Sequence, residues 1–125
     1  MVLTREEILK NNDIDFVVVD VSEWGKKGDT INIITISAGD RDDFEAGSIT
    51  DKKDANGESI SNLVNFRARL VAKCAADDDL NLIFDQQGDV ELLTQKSGLV
   101  VDRLYTAAVK LNKMQKYDVD DTAKN

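Results

Sequence analysis

The sequence contains no histidine and no proline, and only one cysteine and one tryptophan among its 125 residues. Without histidine the chain lacks the commonest general base, the commonest metal ligand and every histidine-assisted nucleophile. The single thiol, Cys74, excludes an internal disulfide and fits a reducing compartment. Apolar runs such as Val17-Val18-Val19 and Leu99-Val100-Val101 are far too short to span a bilayer. The opening Val2-Leu3-Thr4-Arg5-Glu6-Glu7 carries charge where a secretory signal needs an apolar segment, so a cytosolic chain is expected. Surplus positive charge is missing as well. With 24 acidic against 16 basic residues the formal charge is −8, which repels phosphate backbones and anionic lipid. Nucleic acid and membrane are therefore not the expected partners, and the charge itself favours solubility.

What is present is enough for one ordinary domain. A chain of this length buries roughly two thirds of the surface its unfolded form exposes, and 42% of its residues are hydrophobic. The expected fold class is α+β: an N-terminal antiparallel β-hairpin packed on a mostly helical domain of about four helices. Residues 1–115 form that domain, and 116–125, which lack periodicity, are expected to be a flexible C-terminal tail.

Thr4-Arg5-Glu6-Glu7 reads as a capping box opening a short helix to about Lys10, which Asn11-Asn12-Asp13 stops. Phe16–Val21 and Thr30–Ile36 are rich in β-branched residues and flank a glycine-bearing loop, the pattern of a hairpin. A lone hairpin is marginal in water, so this one must pack on helices or pair with another chain. Ser37 is expected to start a weak helix anchored by Phe44 and Ile49. The polar stretch Asp51–Glu58 reads as an exposed mobile loop. From about Ser59 to Ala76, Leu63, Phe66, Leu70, Val71 and Cys74 fall at three- and four-residue spacings, which predicts the strongest helix. Leu80, Leu82, Ile83 and Phe84 fit either a short strand or an apolar turn. Asp85 and Ser97 are expected to cap two further helices, the second striped by Leu99, Val100, Leu104, Ala108 and Leu111.

The chemistry-bearing residues do not converge on a reaction. Cys74 lies on the apolar stripe, the position of an inert buried thiol. Asp42-Asp43 and Asp77-Asp78-Asp79 stand among polar residues, where nothing raises a carboxylate pKa toward acid–base work. Setting Asn56-Gly57 at the fifth and sixth positions of a calcium loop puts Lys52 and Leu63 where carboxylates are required. Gly25, Gly28 and Gly39 lack the setting of a phosphate loop. No catalytic, cofactor-binding or metal-binding residue is therefore assigned, and no cofactor is expected. Trp24 is the candidate partner-binding residue: it either covers the hairpin base or offers an aromatic anchor to another protein.

The order of features resembles the phage tail assembly chaperones of siphophage type. The residues that carry the likeness are Leu3–Leu9, Asp15–Gly25, Ser37–Glu45, Asn65–Cys74, Phe84-Asp85, Asp102–Ala108 and Leu111-Asn112. The resemblance implies a non-enzymatic protein of the host bacterial cytoplasm that coats the tape measure protein and keeps it soluble. It also implies recruitment of tail tube subunits, self-association into multimers, and a longer form made by ribosomal frameshifting. The stretch Asp51–Glu58 departs from the family pattern, being longer and more polar. A phage head–tail completion protein or other ring-forming virion component is the alternative. An acidic mimic of DNA is disfavoured because Lys26, Lys27, Lys52, Lys53 and Arg67 interrupt the acidic residues.

Overall fold

In the computed structural model, which describes residues 1–61 and 63–114, the chain opens with helix α1 (Arg5–Lys10). The Thr4 hydroxyl accepts from the Glu7 N–H at 3.2 Å, and the Glu7 carboxylate accepts from the Thr4 N–H at 3.0 Å. The capping box is thus complete, yet no side chain of α1 is buried. Strands β1 (Phe16–Asp20) and β2 (Thr30–Ile34) pair antiparallel, with Val17 opposite Ile33 and Val19 opposite Ile31. Their connection contains a 3-10 turn, Ser22–Trp24, and depends on Gly25, where a Cβ would collide with the Asp29 carboxylate.

Helix α2 (Ala38–Gly47) follows, with the Ser37 hydroxyl accepting from the Asp40 N–H at 3.2 Å. Strands β3 (Ile49–Lys53) and β4 (Ser59–Ser61) form a separate antiparallel pair. Helix α3 (Phe66–Cys74) leads directly into β5 (Ala75–Ala76), which adds a third strand beside β2. Helices α4 (Asp89–Thr94) and α5 (Gly98–Leu111) complete the described chain. The fold is α+β: the β1–β2 hairpin and β5 are accompanied by five helices among the described residues, and α3 and α5 pack on that sheet. No helix among them is long and apolar enough to cross a membrane.

The core lies between the sheet and helices α3 and α5. Ile33, Leu70, Val71, Cys74, Leu93, Val100 and Leu104 are fully buried there. Phe44 of α2 enters the same cluster and meets Phe66 in a tilted pair, with ring centres 5.0 Å apart at 56°, and Phe66 meets Tyr105 edge-on at 6.2 Å. Asn112, just past α5, bolts the helix to the sheet. Its amide nitrogen donates to the carbonyls of Ala108 at 3.0 Å and Ile34 at 3.3 Å. Its carbonyl oxygen accepts from the Ile36 N–H at 2.8 Å.

Several sequence expectations need correction. The strongest predicted helix starts at Phe66, not near Ser59, and Leu63 is exposed instead of joining the stripe. Ser59–Ser61 pairs with Ile49–Lys53, so the expected mobile loop is a hairpin and Ile49 belongs to a strand. Its turn is held by the Asp54 carboxylate, which accepts from the N–H groups of Asn56 and Glu58, and Gly57 takes φ +81°. That is the local chemistry by which Asp, Asn and Gly close a tight reversal. Asp85 caps nothing: α4 begins after Gly88, at φ +90°, and its first residue, Asp89, accepts from the Gln86 N–H. Ser97 precedes α5 without a side-chain cap bond. Its ψ of 126° falls short of the 163° and 158° at the two working caps, Thr4 and Ser37. The Leu80–Phe84 segment is a turn with one bridge, Ala76 to Leu82, in which Leu80 adopts φ +64°. The predicted tail, 116–125, lies outside the described residues.

Packing sets the expected response to substitution. Leu104→Ala removes a fully buried side chain and should lower the unfolding free energy by about 2–5 kcal/mol. Leu99→Ala, on the same helix but 81% exposed, should change it by less than about 0.5 kcal/mol. Urea denaturation of the two variants checks both.

Candidate interaction surface

Local bonding accounts for most of the reactive-looking side chains. Cys74 ends α3 fully buried, and that burial pushes its thiol up to about 12, with the nearby Asp40 charge adding to the effect. A thiol so protonated is no nucleophile at neutral pH. Asp77 shapes the turn after β5: its carboxylate accepts from the N–H groups of Asp79 and Asn81 at 2.9 and 3.0 Å. Its carbonyl accepts from the Asn32 side chain at 3.1 Å. Among the described residues, no group of three or more His, Cys, Asp or Glu side chains is placed to hold a metal ion.

Trp24 is half-buried against the core and lines a cleft of about 430 Å³ with Val21, Gly25, Asp29, Ile31 and Asp78. Beside it lies the strongest polar contact of the surface. Arg103 of α5 grips the Glu23 carboxylate through both terminal nitrogens, at 2.9 and 2.6 Å, and also donates to the Asp20 carbonyl at 2.8 Å. This fork is the geometry that makes arginine–carboxylate pairs specific. It draws the Glu23 carboxyl down to about 2, chiefly through the Arg103 hydrogen bonds. The end of β1, the turn carrying Trp24 and the face of α5 are thereby tied together.

A groove of about 530 Å³ runs between α2, α3 and the segment before α4. Its apolar lining includes Phe44, Ala72, Leu82, Phe84 and Val90, a volume in the range of small-ligand and side-chain pockets. Lys73 on its wall is shared between Asp40 at 3.5 Å and Asp43 at 3.8 Å. Arg69 lies over both Phe44 and Phe66, 5.7 Å from each ring centre. A second, smaller cleft of about 210 Å³ lies where the start of α3 meets the end of α4 and the start of α5. Leu63, Phe66, Leu93 and Val101 line it, and its charged lining residues are the basic Arg67 and Lys96. Exposed Val64, Leu92 and Leu99 adjoin these lining residues in sequence.

The largest uncovered apolar stretch is N-terminal. Ile8 and Leu9 of α1 are 56% and 66% exposed, and Phe16 and Val18 of β1 are 45% and 60% exposed. Sequence reasoning left the hairpin either packed on helices or paired with another chain, and did not single out these exposed residues. The usable signal was the unbroken run Phe16-Val17-Val18-Val19, which puts apolar side chains on both faces of the strand. Arg103 and Asn112 were missed as organising residues because their partners lie 83 and 76–78 positions away.

Two solution measurements follow. A depressed folded pKa makes the Glu23 contribution complete above the ordinary 4.5 and lost as pH falls toward about 2. Glu23→Gln should therefore be less stable than the parent at neutral pH, with the gap closing across that interval in acid denaturation curves. Cys74 should resist a thiol-specific chromogenic reagent at pH 8 and react in full only in denaturant, whereas ready modification of the native chain would contradict its burial. Comparison with known protein families, curated proteins and solved structures finds no match to the chain.

Proposed function

We propose that this chain is a non-enzymatic phage tail assembly chaperone that binds a tape measure protein, keeps it soluble and helps recruit tail tube subunits. It acts in the host bacterial cytoplasm as a multimer. The observation that carries the binding role is apolar surface left open on an acidic chain: α1, the outer residues of β1 and the Leu63 cleft. A chaperone needs such surface for its client and net charge to keep the coated complex dissolved. The tape measure protein as client comes from the resemblance of the sequence. Weak contacts repeated along a long client give strong coating through effective concentration and still permit stepwise release.

Lys96 on the Leu63 cleft suits an acidic side chain of an amphipathic helix whose apolar face enters between α3, α4 and α5, while Arg67 beside it is already paired with Asp102 at 3.1 Å. Trp24 is proposed as a further client contact through the part of its indole left in solvent. A ring-forming virion component is the second reading, and the open edge of β1 favours it, since subunits that join through strand edges form fixed assemblies.

Co-expression with the tape measure protein encoded beside it, and purification through a tag on this chain, tests the proposal. The tape measure protein should become soluble and copurify in a large complex, with Trp24→Ala and Leu63→Lys each reducing the captured amount. A client that stays insoluble, or a gene neighbourhood with no tape measure protein, rejects the chaperone. Recovery of the chain from purified virions supports the ring component instead.

A further inference from the structure

β1 is an edge strand in the sheet order β1-β2-β5. The Asp15 carbonyl accepts from the Thr35 N–H, and the Val21 N–H donates to the Asp29 carbonyl. In an antiparallel ladder the residues facing the partner alternate, so odd-numbered residues of β1 bond β2 and Phe16, Val18 and Asp20 face outward. Two of their six outward backbone groups are already engaged within the chain. The Phe16 N–H donates to the Asp15 carboxylate at 2.8 Å, and the Asp20 carbonyl accepts from Arg103 at 2.8 Å. Among the described residues nothing is bonded to the carbonyl of Phe16, to either group of Val18 or to the N–H of Asp20.

We propose that β1 pairs with β1 of a second copy of this chain, antiparallel about a two-fold axis through Val18, joining two three-stranded sheets into one. This deepens the multimer part of the proposed function and rests on that part alone, not on the identity of the client. The argument is one of register. With Val18 opposite Val18, the two Val18 residues exchange two hydrogen bonds, and each Asp20 N–H meets the Phe16 carbonyl of the other copy. The engaged groups, the Phe16 N–H and the Asp20 carbonyl, then face each other as the two ends of one bond, so its loss orphans neither. Moving the axis to residue 17 sets the occupied Phe16 N–H against the Val18 carbonyl, which is left without a donor. Moving it to residue 19 sets the Val18 N–H against the Asp20 carbonyl, where Arg103 already takes one lone pair at 2.8 Å, so the two donors must share that acceptor.

Charge selects the same arrangement. Antiparallel pairing at Val18 sets Asp20 against Phe16 and Asp15 against Val21, whereas parallel pairing aligns each aspartate with its own copy. The exposed Phe16 and Val18 side chains of the two copies become one apolar strip. Helix α1 gains a role too. Six residues without tertiary burial are too few for a stable isolated helix. The same two-fold carries the chain before Phe16, with exposed Ile8 and Leu9, past Asp20 of the other copy.

Sedimentation of the purified chain across a concentration series tests this, with Val18→Lys as the edge variant and Leu99→Lys as a control on a still more exposed apolar site elsewhere. The parent should be dimeric or a multiple of two. Val18→Lys should raise the dissociation constant more than about tenfold with an unchanged circular dichroism spectrum, and Leu99→Lys should leave it as it is. Hydrogen exchange on the parent gives a reading free of substitution: protection of the Val18 and Asp20 amides should rise with concentration. A parent that stays monomeric to about 0.5 mM overturns the pairing together with the multimer, leaves client binding standing, and marks the edge as open to a foreign strand. A parent that assembles while Val18→Lys assembles equally well, or while those amides stay unprotected, overturns this edge and places self-association elsewhere. Equal weakening by Leu99→Lys overturns it as well.

Discussion

The burial of α3 is the constraint on which the rest of the structure depends. Nine residues are too few to make a helix in water, and Asn65 before it contributes no side-chain cap. The helix exists because Leu70, Val71 and Cys74 are completely removed from solvent by α5, α2 and the sheet around them. Its end runs without a loop into β5, so the same backbone fixes the sheet's third strand. Displacing α3 would therefore unseat Phe66 from Phe44 and Tyr105, and β2 from its neighbour.

What the sequence revealed and what it hid divide along one line. Features written in neighbouring residues were readable: the Thr4–Glu7 capping box, the Ser37 cap, the β-branched strands of the hairpin and most of the stripe of α5, from which Leu99, expected on it, is exposed while Val101 is buried. Features decided by distant partners were not. The Leu63–Cys74 spacing fits a long helix, but the β3–β4 pair claims the residues before it and leaves Leu63 in solvent. Ser97 and Asp85 have the side chains of caps, but Ser97 makes no cap bond and α4 starts only at Asp89, behind Gly88 and four residues after Asp85. The apolar surface around Ile8, Phe16 and Leu99 was hidden for another reason. Composition says how many apolar residues a chain has, not which of them it fails to cover.

The polar groups of this protein are spent on architecture. Asn112 fastens α5 to β2, Arg103 fastens it to the end of β1, and Asp54 and Asp77 each close a turn. The buried residues of the core are all hydrophobic.

The position of α5 in the chain also has a consequence in time. The hairpin completes its own hydrogen bonds early, but Val19 and Ile33 are sealed by a helix that begins only at Gly98. While the chain is being synthesised, roughly its first three quarters must wait with that sheet face and the face of α3 unprotected. A nascent chain in this state is open to misassociation with its neighbours on the same messenger. The rate at which the ribosome delivers α5 thus sets how long Val19 and Ile33 go uncovered.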